Sequence, residues 1–528
     1  MPVKVIAMQG DLGAAGQPFA HHYSVCVGAG RACEGLRADW QAQLCRAHRE
    51  CGFEYVRFHG LLTDDMHVCY RDESGALRYS WQYVDSLFDA LLAMGVRPFV
   101  EFGFCPAVLA GGTRTQFWWQ GRVDPPADLD AWADLVGAAC RHWVARYGAE
   151  EVRRWYFEIW NEPDLNAFWN GTRSQYFALY AASARAVKAA DPALLVGGPA
   201  TSNFVPDDRF DGEVEDTSRQ LTAFAEDLDA LDWHGVWIEE FLAYCAAHHL
   251  PVDFVSAHPY PTDWALDGHG NTCKRTRKRR SLEEDVEWLR QAVARSAYPR
   301  AELCLTEWSS SPSSRDCSHD ELPAACYIAD AAFSVNENIR CLSYWTFTDI
   351  FEELGGGHLP FHGGFGLFNF NGIPKPAYHV YRMMHRLGDT LLHRTGDCII
   401  TRKDGQLRAM AWNYSDAQPK AVPMCAFPDH EAAARVLADG TPALLTLDLR
   451  GLRPCQTVLV EQLDESHGDA AALWRQMGAP ENLTPDQTRA LRQATGATVR
   501  TVLRADDRGL LQAELSLPPW AVVLLQSL

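Results

Sequence analysis

The sequence predicts an α/β protein whose main domain is a closed (β/α)8, or TIM, barrel. Short apolar, β-branched or aromatic runs recur along the chain, and segments with helical patterns separate them. Several runs are apolar on both faces, as expected for parallel strands that helices cover. The eight runs are His22–Val27, Tyr55–His59, Pro98–Phe102, Trp155–Trp160, Leu194–Gly198, Asp253–His258, Glu302–Glu307 and Cys341–Phe347.

Segments between these runs carry helix signals. Trp81–Met94 places apolar residues on one helical face and stops at Gly95, which suits a left-handed helix terminus. Gln175–Ala190 repeats the pattern and stops just before a proline. Ser281 and Glu284 have the spacing of a capping box, which predicts a helix start. Alternation of strands with helices places the active site at the carboxyl ends of the strands.

The pattern changes around Pro374, and we place the end of the barrel domain at residue 375. Beyond it, Ile399–Lys403 and Gln406–Trp412 flank Asp404-Gly405, a favoured two-residue hairpin turn. Further strands are predicted at Thr457–Glu461 and Trp520–Leu525, with helices at Asp469–Met477 and at Pro485–Ala494, where Thr484 and Gln487 form a capping box. We therefore expect a barrel over 16–375 and a β-rich domain over 376–528, which a strand within 1–15 is a candidate to join.

Composition and charge exclude several classes of function. The 528 residues carry 48 Lys and Arg against 68 Asp and Glu, so the net charge of −20 disfavours nucleic acid and anionic membrane surfaces. No run is long and apolar enough to span a bilayer, and the start lacks a signal-peptide core, which predicts a cytoplasmic protein. The 16 cysteines are scattered without a CxxC pair, so we expect buried reduced thiols rather than disulfides or a zinc site.

One local charge run stands out, Lys274–Arg280, with six cations in seven residues. The acidic residues Glu283, Glu284 and Asp285 follow at once, so we expect a solvated loop that its neighbours neutralise. The alternative is a docking site for an anionic substrate or lipid.

Two carboxylates, Glu162 and Glu307, stand where the fourth and seventh predicted strands run into their loops. These strand ends face each other across a closed barrel, so the two side chains can share one cleft. Two facing carboxylates are what glycoside hydrolysis requires, although either residue alone is more often part of an ordinary salt bridge. Polar and aromatic residues also end other strands, a mixture that fits a sugar pocket: Arg57, His59, Glu101, His258, Tyr260, Tyr344 and Trp345.

Seven motifs together resemble glycoside hydrolase family 39, the family of β-xylosidases and α-L-iduronidases, and its xylosidase branch is the more similar. The motifs span Tyr55–Gly60, Asp64–Met66, Glu158–Leu165, Leu305–Trp308, Tyr344–Glu353, Gly363–Leu367 and Gly372–Tyr378. The similarity runs from about residue 20 to the C-terminus. It implies that the C-terminal domain is a β-sandwich accessory domain.

The resemblance implies a role for each site residue. Glu162 corresponds to the general acid/base, Glu307 to the nucleophile, and Asn161 to an asparagine that hydrogen-bonds the sugar 2-hydroxyl. Arg57 corresponds to an arginine that contacts the nucleophile; its charge would keep Glu307 ionised, and ionised Glu307 would raise the pKa of Glu162. The substrate-binding positions around the non-reducing sugar are His59, His258, Tyr260 and Glu353, with Trp345 as a stacking position. Buried, satisfied histidines and a core tryptophan are the alternatives for His59, His258 and Trp345.

The sequence departs from the family pattern after the nucleophile. Xylosidases of the family often have Asn and then Tyr shortly after the nucleophile and its tryptophan, whereas Ser309–Ser314 contains only serine and proline here. This departure leaves the preferred sugar open.

The sequence therefore predicts a retaining exo-glycosidase, most specifically a β-D-xylosidase that releases xylose from short xylo-oligosaccharides with carboxyl groups about 5 Å apart. It needs neither a metal nor an organic cofactor, and its oligomeric state is open. Alternatives within the class are an α-L-iduronidase, an arabinosidase or a β-glucosidase. A catalytically inert sugar-binding barrel is an alternative of another class. A metal-dependent hydrolase is a third, for which His59 and His258 alone offer too few ligands.

Overall fold

Eight parallel strands form a closed barrel in the computed structural model, which describes residues 3–202, 204–206, 233–266, 272–335, 338–415, 430–496 and 498–528. The strands follow one another around the barrel in chain order, and the eighth pairs with the first. They are Cys26–Arg31, Tyr55–His59, Arg97–Phe102, Tyr156–Ile159, Leu195–Thr201, Phe254–Ala257, Glu302–Trp308 and Cys341–Tyr344. The predicted (β/α)8 barrel is confirmed.

One main helix follows each barrel strand. The helices are Ala38–Cys51, Gln82–Met94, Leu129–Tyr147, Arg173–Ala190, Ile238–Ala247, Ser281–Arg295, Leu322–Ser334 and Pro376–His385, and the short helix Ala149–Val152 extends the third. The last of them begins beyond residue 375 and packs against the first and seventh. The barrel thus continues past the boundary that the sequence pattern indicated.

The first strand and one helix start differ from the prediction. The first strand begins at Cys26, and His22–Ser24 form a 3₁₀ turn instead. The imidazole of His22 and the hydroxyl of Tyr23 bond to backbone carbonyls of the seventh and eighth helices, which holds this segment off the sheet. Ser281 is the first helical residue rather than the cap, so the expected capping box does not form there. The box of Thr484 and Gln487 does form.

Two facing sheets make up the C-terminal domain and share an apolar core. The smaller sheet has the order Lys4–Asp11, Ala443–Arg450, Leu511–Leu517. The larger has the order Gln17–Pro18, Thr390–Arg394, Cys398–Lys403, Gln406–Trp412, Val522–Ser527, Thr457–Leu463, Val499–Arg504. Asp404 and Gly405 form the predicted hairpin turn with φ angles of 50° and 75°. The N-terminal strand Lys4–Asp11 therefore belongs to this domain.

Helices of the C-terminal domain support the barrel loop that follows the eighth strand. The helices are His430–Ala438, Ala470–Gln476 and Pro485–Ala494. Phe361 and Ile373 of the loop pack against Trp474 and Leu491 of the domain. Arg475 forms an ion pair with the buried Glu321, in the loop after the seventh strand. The C-terminal domain is thus packed against the end of the barrel where the active site was expected.

Acidic neighbours neutralise the described part of the basic run. Arg277 is buried and paired with Asp285 at 2.6 Å, and Arg279 pairs with Asp330 and Asp397. Lys278 and Arg280 pair with Glu284 and Glu283. The side chains of Lys274 and Arg275 lie outside the described residues. These contacts favour a run that its neighbours neutralise over an anion-docking site, but the expectation of a solvated loop fails at Arg277, which is buried.

The described cysteines are free, and most of them are buried. Within the described residues, no helix has both the length and the apolar character that a membrane span requires.

Candidate active site

The inside of the barrel changes from apolar to polar along the strands because inward-facing positions recur every second residue. The lower layer is an apolar cluster that includes Tyr55, Phe99, Tyr156, Phe254, Cys304 and Cys341. Two residues further along the same strands stand Arg57, Glu101, Glu158, Ser256, Thr306 and Ser343, all buried. The lower layer closes the barrel at the amino ends of the strands. The polar layer is therefore the floor of a pocket that opens at the carboxyl ends of the strands.

Glu162 and Glu307 converge above this floor. Glu307 lies in the seventh strand, and Glu162 lies just past the end of the fourth. The backbone adopts left-handed conformations at Trp160 (φ 71°) and Glu162 (φ 44°), and the Glu162 amide donates to the Ala200 carbonyl at 2.9 Å. One oxygen of each carboxylate and one ring nitrogen of His258 all lie within 4.8 Å of one another. This upper bound lies close to the separation of about 5 to 5.5 Å in retaining glycosidases and well below the ~6.5 to 9.5 Å of inverting enzymes.

Arg57 connects the floor to Glu307 in the seventh strand and to Asn161 after the fourth. Its guanidinium donates to Glu307 at 2.8 Å, to the Asn161 side-chain oxygen at 2.8 Å and to Glu158 at 2.6 Å. A fully buried guanidinium with three such partners is held in one orientation. The side-chain nitrogen of Asn161 is buried and has no hydrogen-bond partner among the described residues. Arg57 therefore orients both the predicted nucleophile and the asparagine, whose amide remains free to bind a ligand.

Burial and neighbouring charges determine how the two carboxyl groups bind protons. Burial raises the pKa of Glu162 well above its ordinary value, and the negative charge of Glu307 raises it further. Burial also raises the pKa of Glu307, against the opposing effect of the charge and hydrogen bond of Arg57. Arg57 thus limits the rise without reversing it, which the sequence did not predict. Because Arg57 donates to Glu307 and not to Glu162, we assign the last proton of the pair to Glu162.

His258 and Tyr260 contact the carboxylates directly. The Nδ1 atom of His258 lies 2.8 Å from Glu162, and its Nε2 atom lies 3.1 Å from the Thr306 hydroxyl. Burial and the charge of Arg57 lower the pKa of His258 well below its ordinary value, so the ring is neutral. The Tyr260 hydroxyl donates to Glu307 at 3.1 Å. Both residues lie beside the carboxylate pair, and their binding of the non-reducing sugar stays a prediction.

His59 approaches the oxygen of Glu307 that His258 and Tyr260 do not, and Glu353 lies near His59. The Nδ1 atom of His59 bonds to Glu101 at 2.7 Å, while its Nε2 atom lies 3.7 Å from Glu307 and 3.9 Å from Glu353. Burial raises the pKa of Glu353 well above its ordinary value, and the charge of Glu307 adds to the rise. The imidazole Nε2 and the Glu353 carboxyl group are therefore close enough together to bind one small polar ligand.

Trp345 directly follows the eighth strand and is buried. Its ring centre is 4.8 Å from that of His59, and it forms a small apolar cluster with Phe351 and Phe365 that is separate from the main core. A Cβ atom at Gly28 would come within 2.3 Å of the indole, so only glycine leaves room for this position. Trp345 therefore forms part of the pocket wall rather than of the core between strands and helices.

Several residues of the site were not predicted from the sequence, and Glu101 was predicted only as one of the polar residues that end strands. Glu101 and Glu158 are ion-pair partners of Arg57, and Thr306 bonds to Glu158 at 2.9 Å. Glu101 and Glu158 are charged residues within otherwise apolar strands. This pattern was the signal from which both could have been predicted as residues of the site. Phe117 and Phe168 pack around His59 from the loops after the third and fourth strands, and no sequence pattern pointed to them.

The group of Glu162, His258 and Glu307 also has the spacing of three metal ligands. The Arg57 guanidinium, 2.8 Å from Glu307, would repel a cation there, and His258 already bonds to Glu162 through Nδ1. The charges around the pair favour carboxylate chemistry over metal binding.

Comparisons with known proteins agree with this geometry. The family model described as "Glycosyl hydrolases family 39" matches residues 9–512. A β-xylosidase of Caldicellulosiruptor saccharolyticus is 36% identical over 484 residues, which cover 90% of this chain and 88% of that protein. A β-xylosidase of Geobacillus stearothermophilus is 34% identical over 526 residues, covering 97% and 93%. The crystal structure of the GH39 enzyme from Xanthomonas axonopodis pv. citri superposes with a TM-score of 0.85 at 34% identity, covering 100% of this chain and 98% of that one.

Proposed function

We propose that this chain, which belongs to glycoside hydrolase family 39, is a β-D-xylosidase that removes xylose from the non-reducing ends of short xylo-oligosaccharides. The family confirms the predicted enzyme class, a glycoside hydrolase acting on sugar substrates. The convergence of Glu162 and Glu307 in one buried pocket is the observation that carries the proposal, and it supports retention. Two β-xylosidase relatives that match most of the chain support xylose as the sugar.

In the first step, a Glu307 oxygen attacks the anomeric carbon and forms an ester bond to the sugar. The bond to the leaving oxygen breaks, and Glu162 transfers its proton to that oxygen. The free amide of Asn161 is placed to bind the neighbouring sugar hydroxyl, where hydrogen bonds strengthen as positive charge develops on the ring.

In the second step, water replaces the departed alcohol and attacks the same carbon while Glu162 takes its proton. The ester bond breaks, and Glu307 leaves as a carboxylate that Arg57 and Tyr260 stabilise. Two inversions at one carbon give net retention. Glu307 is uncharged while it is esterified, so its contribution to the raised pKa of Glu162 is absent and Glu162 can serve as the base.

A panel of nitrophenyl glycosides tests the sugar. We expect the β-D-xyloside to be the fastest substrate and NMR to show β-xylose as the first product. Cleavage of an iduronide, an arabinoside or a β-glucoside without cleavage of the xyloside would overturn the choice of sugar. Release of α-xylose first would overturn the double displacement.

The pH dependence of kcat/KM should be bell-shaped. Glu307 must be ionised to attack, and burial raises its pKa, so activity is lost as the pH falls through a value above the ordinary range of glutamate. Glu162 must be protonated, so activity is lost as the pH rises through its higher pKa. Tyr260→Phe removes a hydrogen bond to the Glu307 anion and should move the acid limb to higher pH.

Tyr55→Phe is the matched control for this shift, because Tyr55 lies in the lower layer and donates to the Arg154 carbonyl. Its acid limb should coincide with that of the parent. An unchanged acid limb in Tyr260→Phe would contradict the assignment of that limb to Glu307.

A further inference from the structure

The position of Glu353 depends on a loop rather than on the barrel. The eighth strand ends at Tyr344, and Glu353 lies well beyond it in the long connection to the last helix. Its carboxyl group nevertheless reaches within 3.9 Å of His59 inside the pocket. Contacts from other parts of the chain must therefore hold this segment in place.

Arg31, at the end of the first strand, makes the main side-chain contacts to the segment. Its Nε and Nη2 atoms donate to one oxygen of Glu352 at 3.3 and 2.6 Å, and its Nη1 atom donates to Asp65 in the loop after the second strand. The guanidinium also lies 5.5 Å from the ring centre of Trp119, in the loop after the third strand. Arg31 thus joins three loops around the residue that precedes Glu353.

Backbone hydrogen bonds complete the support of the segment. The Glu352 amide donates to Glu34 at 2.9 Å, and the Arg31 amide donates to the other oxygen of Glu34 at 3.2 Å. The amide of Trp118 donates to the Glu353 carbonyl at 2.9 Å. Glu352 is thus held by the first strand and its loop, and Glu353 is held by the loop after the third strand.

The place of Glu353 in the pocket indicates what it contacts. The leaving group departs on the side of Glu162, which delivers the proton. Glu353 lies 3.9 Å from His59, which approaches one oxygen of Glu307, whereas His258, the partner of Glu162, approaches the other oxygen of Glu307. A sugar whose anomeric carbon lies between the two catalytic carboxylates extends its distal hydroxyls in this direction.

We infer that Arg31 is a positioning residue for terminal-sugar binding, which fixes Glu353 through Glu352 so that its carboxyl group meets the distal hydroxyls of the sugar. The inference deepens the proposed glycosidase function and rests on it. Arg31 itself need not touch substrate. Its guanidinium is almost fully buried and is matched to the carboxylates of two loops, a role that a lysine with its single nitrogen cannot reproduce.

A double-mutant cycle tests the inference on whichever nitrophenyl glycoside the parent cleaves fastest. Arg31→Met should lower kcat/KM by roughly tenfold or more, mainly through KM, because it loosens a group that binds the sugar before and during reaction. In a Glu353→Ala background the same substitution should cost less than about twofold, since its effect passes through the missing carboxyl group. Equal losses in the two backgrounds would overturn the inference.

Arg37→Met is the control. Arg37 is more exposed, pairs with Asp39 and only approaches Glu352, at 3.9 Å, so its kcat/KM should match the parent. Arg31→Lys covers the case in which Arg31→Met does not fold; it should show an intermediate rise in KM that again vanishes in the Glu353→Ala background.

Binding of free xylose by titration calorimetry gives a readout that does not need turnover. Arg31→Met and Glu353→Ala should weaken it by similar factors, and their combination should weaken it little further. The two claims can fail separately. A Glu307→Ala variant that kept full activity would refute the proposed mechanism, whereas the binding of xylose would still test the role of Arg31.

Discussion

Glu307→Ala is expected to lower kcat/KM for a nitrophenyl β-D-xyloside by on the order of 10⁵-fold, because no other described carboxylate can form the covalent intermediate in its place. The Glu307 carboxylate lies beside Arg57 and Tyr260, which stabilise it both before attack and as a leaving group. Glu101 and Glu158 are near but are ion-paired with Arg57 in the floor, and burial raises the pKa of Glu353 well above its ordinary value, which disfavours the anion that would have to attack. Initial rates over a range of substrate concentrations measure the loss.

Added azide sharpens this test because it can enter the space that the missing carboxylate leaves. Attack by azide from that face should restore turnover and give the α-xylosyl azide, the product of a single inversion. Glu302→Ala is the control: Glu302 is in the same strand but at its exposed lower end, where it accepts from Tyr156 at 2.6 Å. A Glu307→Ala variant with parental activity would show that another group is the nucleophile.

Glu162→Gln is expected to lower kcat/KM by about 10²- to 10⁴-fold on substrates whose leaving alcohol needs a proton. A dinitrophenyl leaving group departs as an anion and needs no proton. For that xyloside the rate of the first step in the variant should therefore come close to that of the parent. Rates across a series of aryl xylosides therefore measure the effect better than any single substrate. Azide should again rescue the variant, but with the β-xylosyl azide as product, because Glu307 still forms the intermediate.

Asp164→Asn is the matched control for the aryl series. Asp164 is a second buried carboxyl group near Glu162, and burial raises its pKa to about 6. Both of its oxygens bond to Ser202, so it does not face the leaving group. The dependence of kcat/KM on the leaving group in Asp164→Asn should match that of the parent. A Glu162→Gln variant that lost the same factor on every aryl xyloside would contradict the role of Glu162 as the acid.

The sequence predicted the barrel and the pair of carboxylates because both depend on strong local patterns. Tyr55–His59 is buried on both faces, and its predicted ends are those of the structure. Glu162 and Glu307 follow from strand ends and from motif resemblance together. Parallel strands present their carboxyl ends at one rim, so the strand assignment already brought the two residues to the same end of the barrel.

The rest of the site depends on loop conformations that leave no periodic signal. Phe117 reaches the pocket from a hairpin, with a left-handed φ of 67° that its sequence does not predict. Arg31 stands at a strand end like many other arginines, and its partners Asp65 and Glu352 are far away in sequence. The net rise in the pKa of Glu307 was also unpredictable, because it depends on how completely the pocket excludes water.

The pairing of Lys4–Asp11 with Ala443–Arg450 constrains how the chain is assembled on the ribosome. The partner strand follows roughly 440 residues later. At a synthesis rate of about 5–20 residues per second, Lys4–Asp11 waits on the order of 20–90 s for it. During that time Ile6 and Met8, which end in the core between the two sheets, have no native partner. The barrel can complete itself first, whereas both sheets of the C-terminal domain need strands from the last part of the chain. The early strand Lys4–Asp11 is therefore where a chaperone would be needed most.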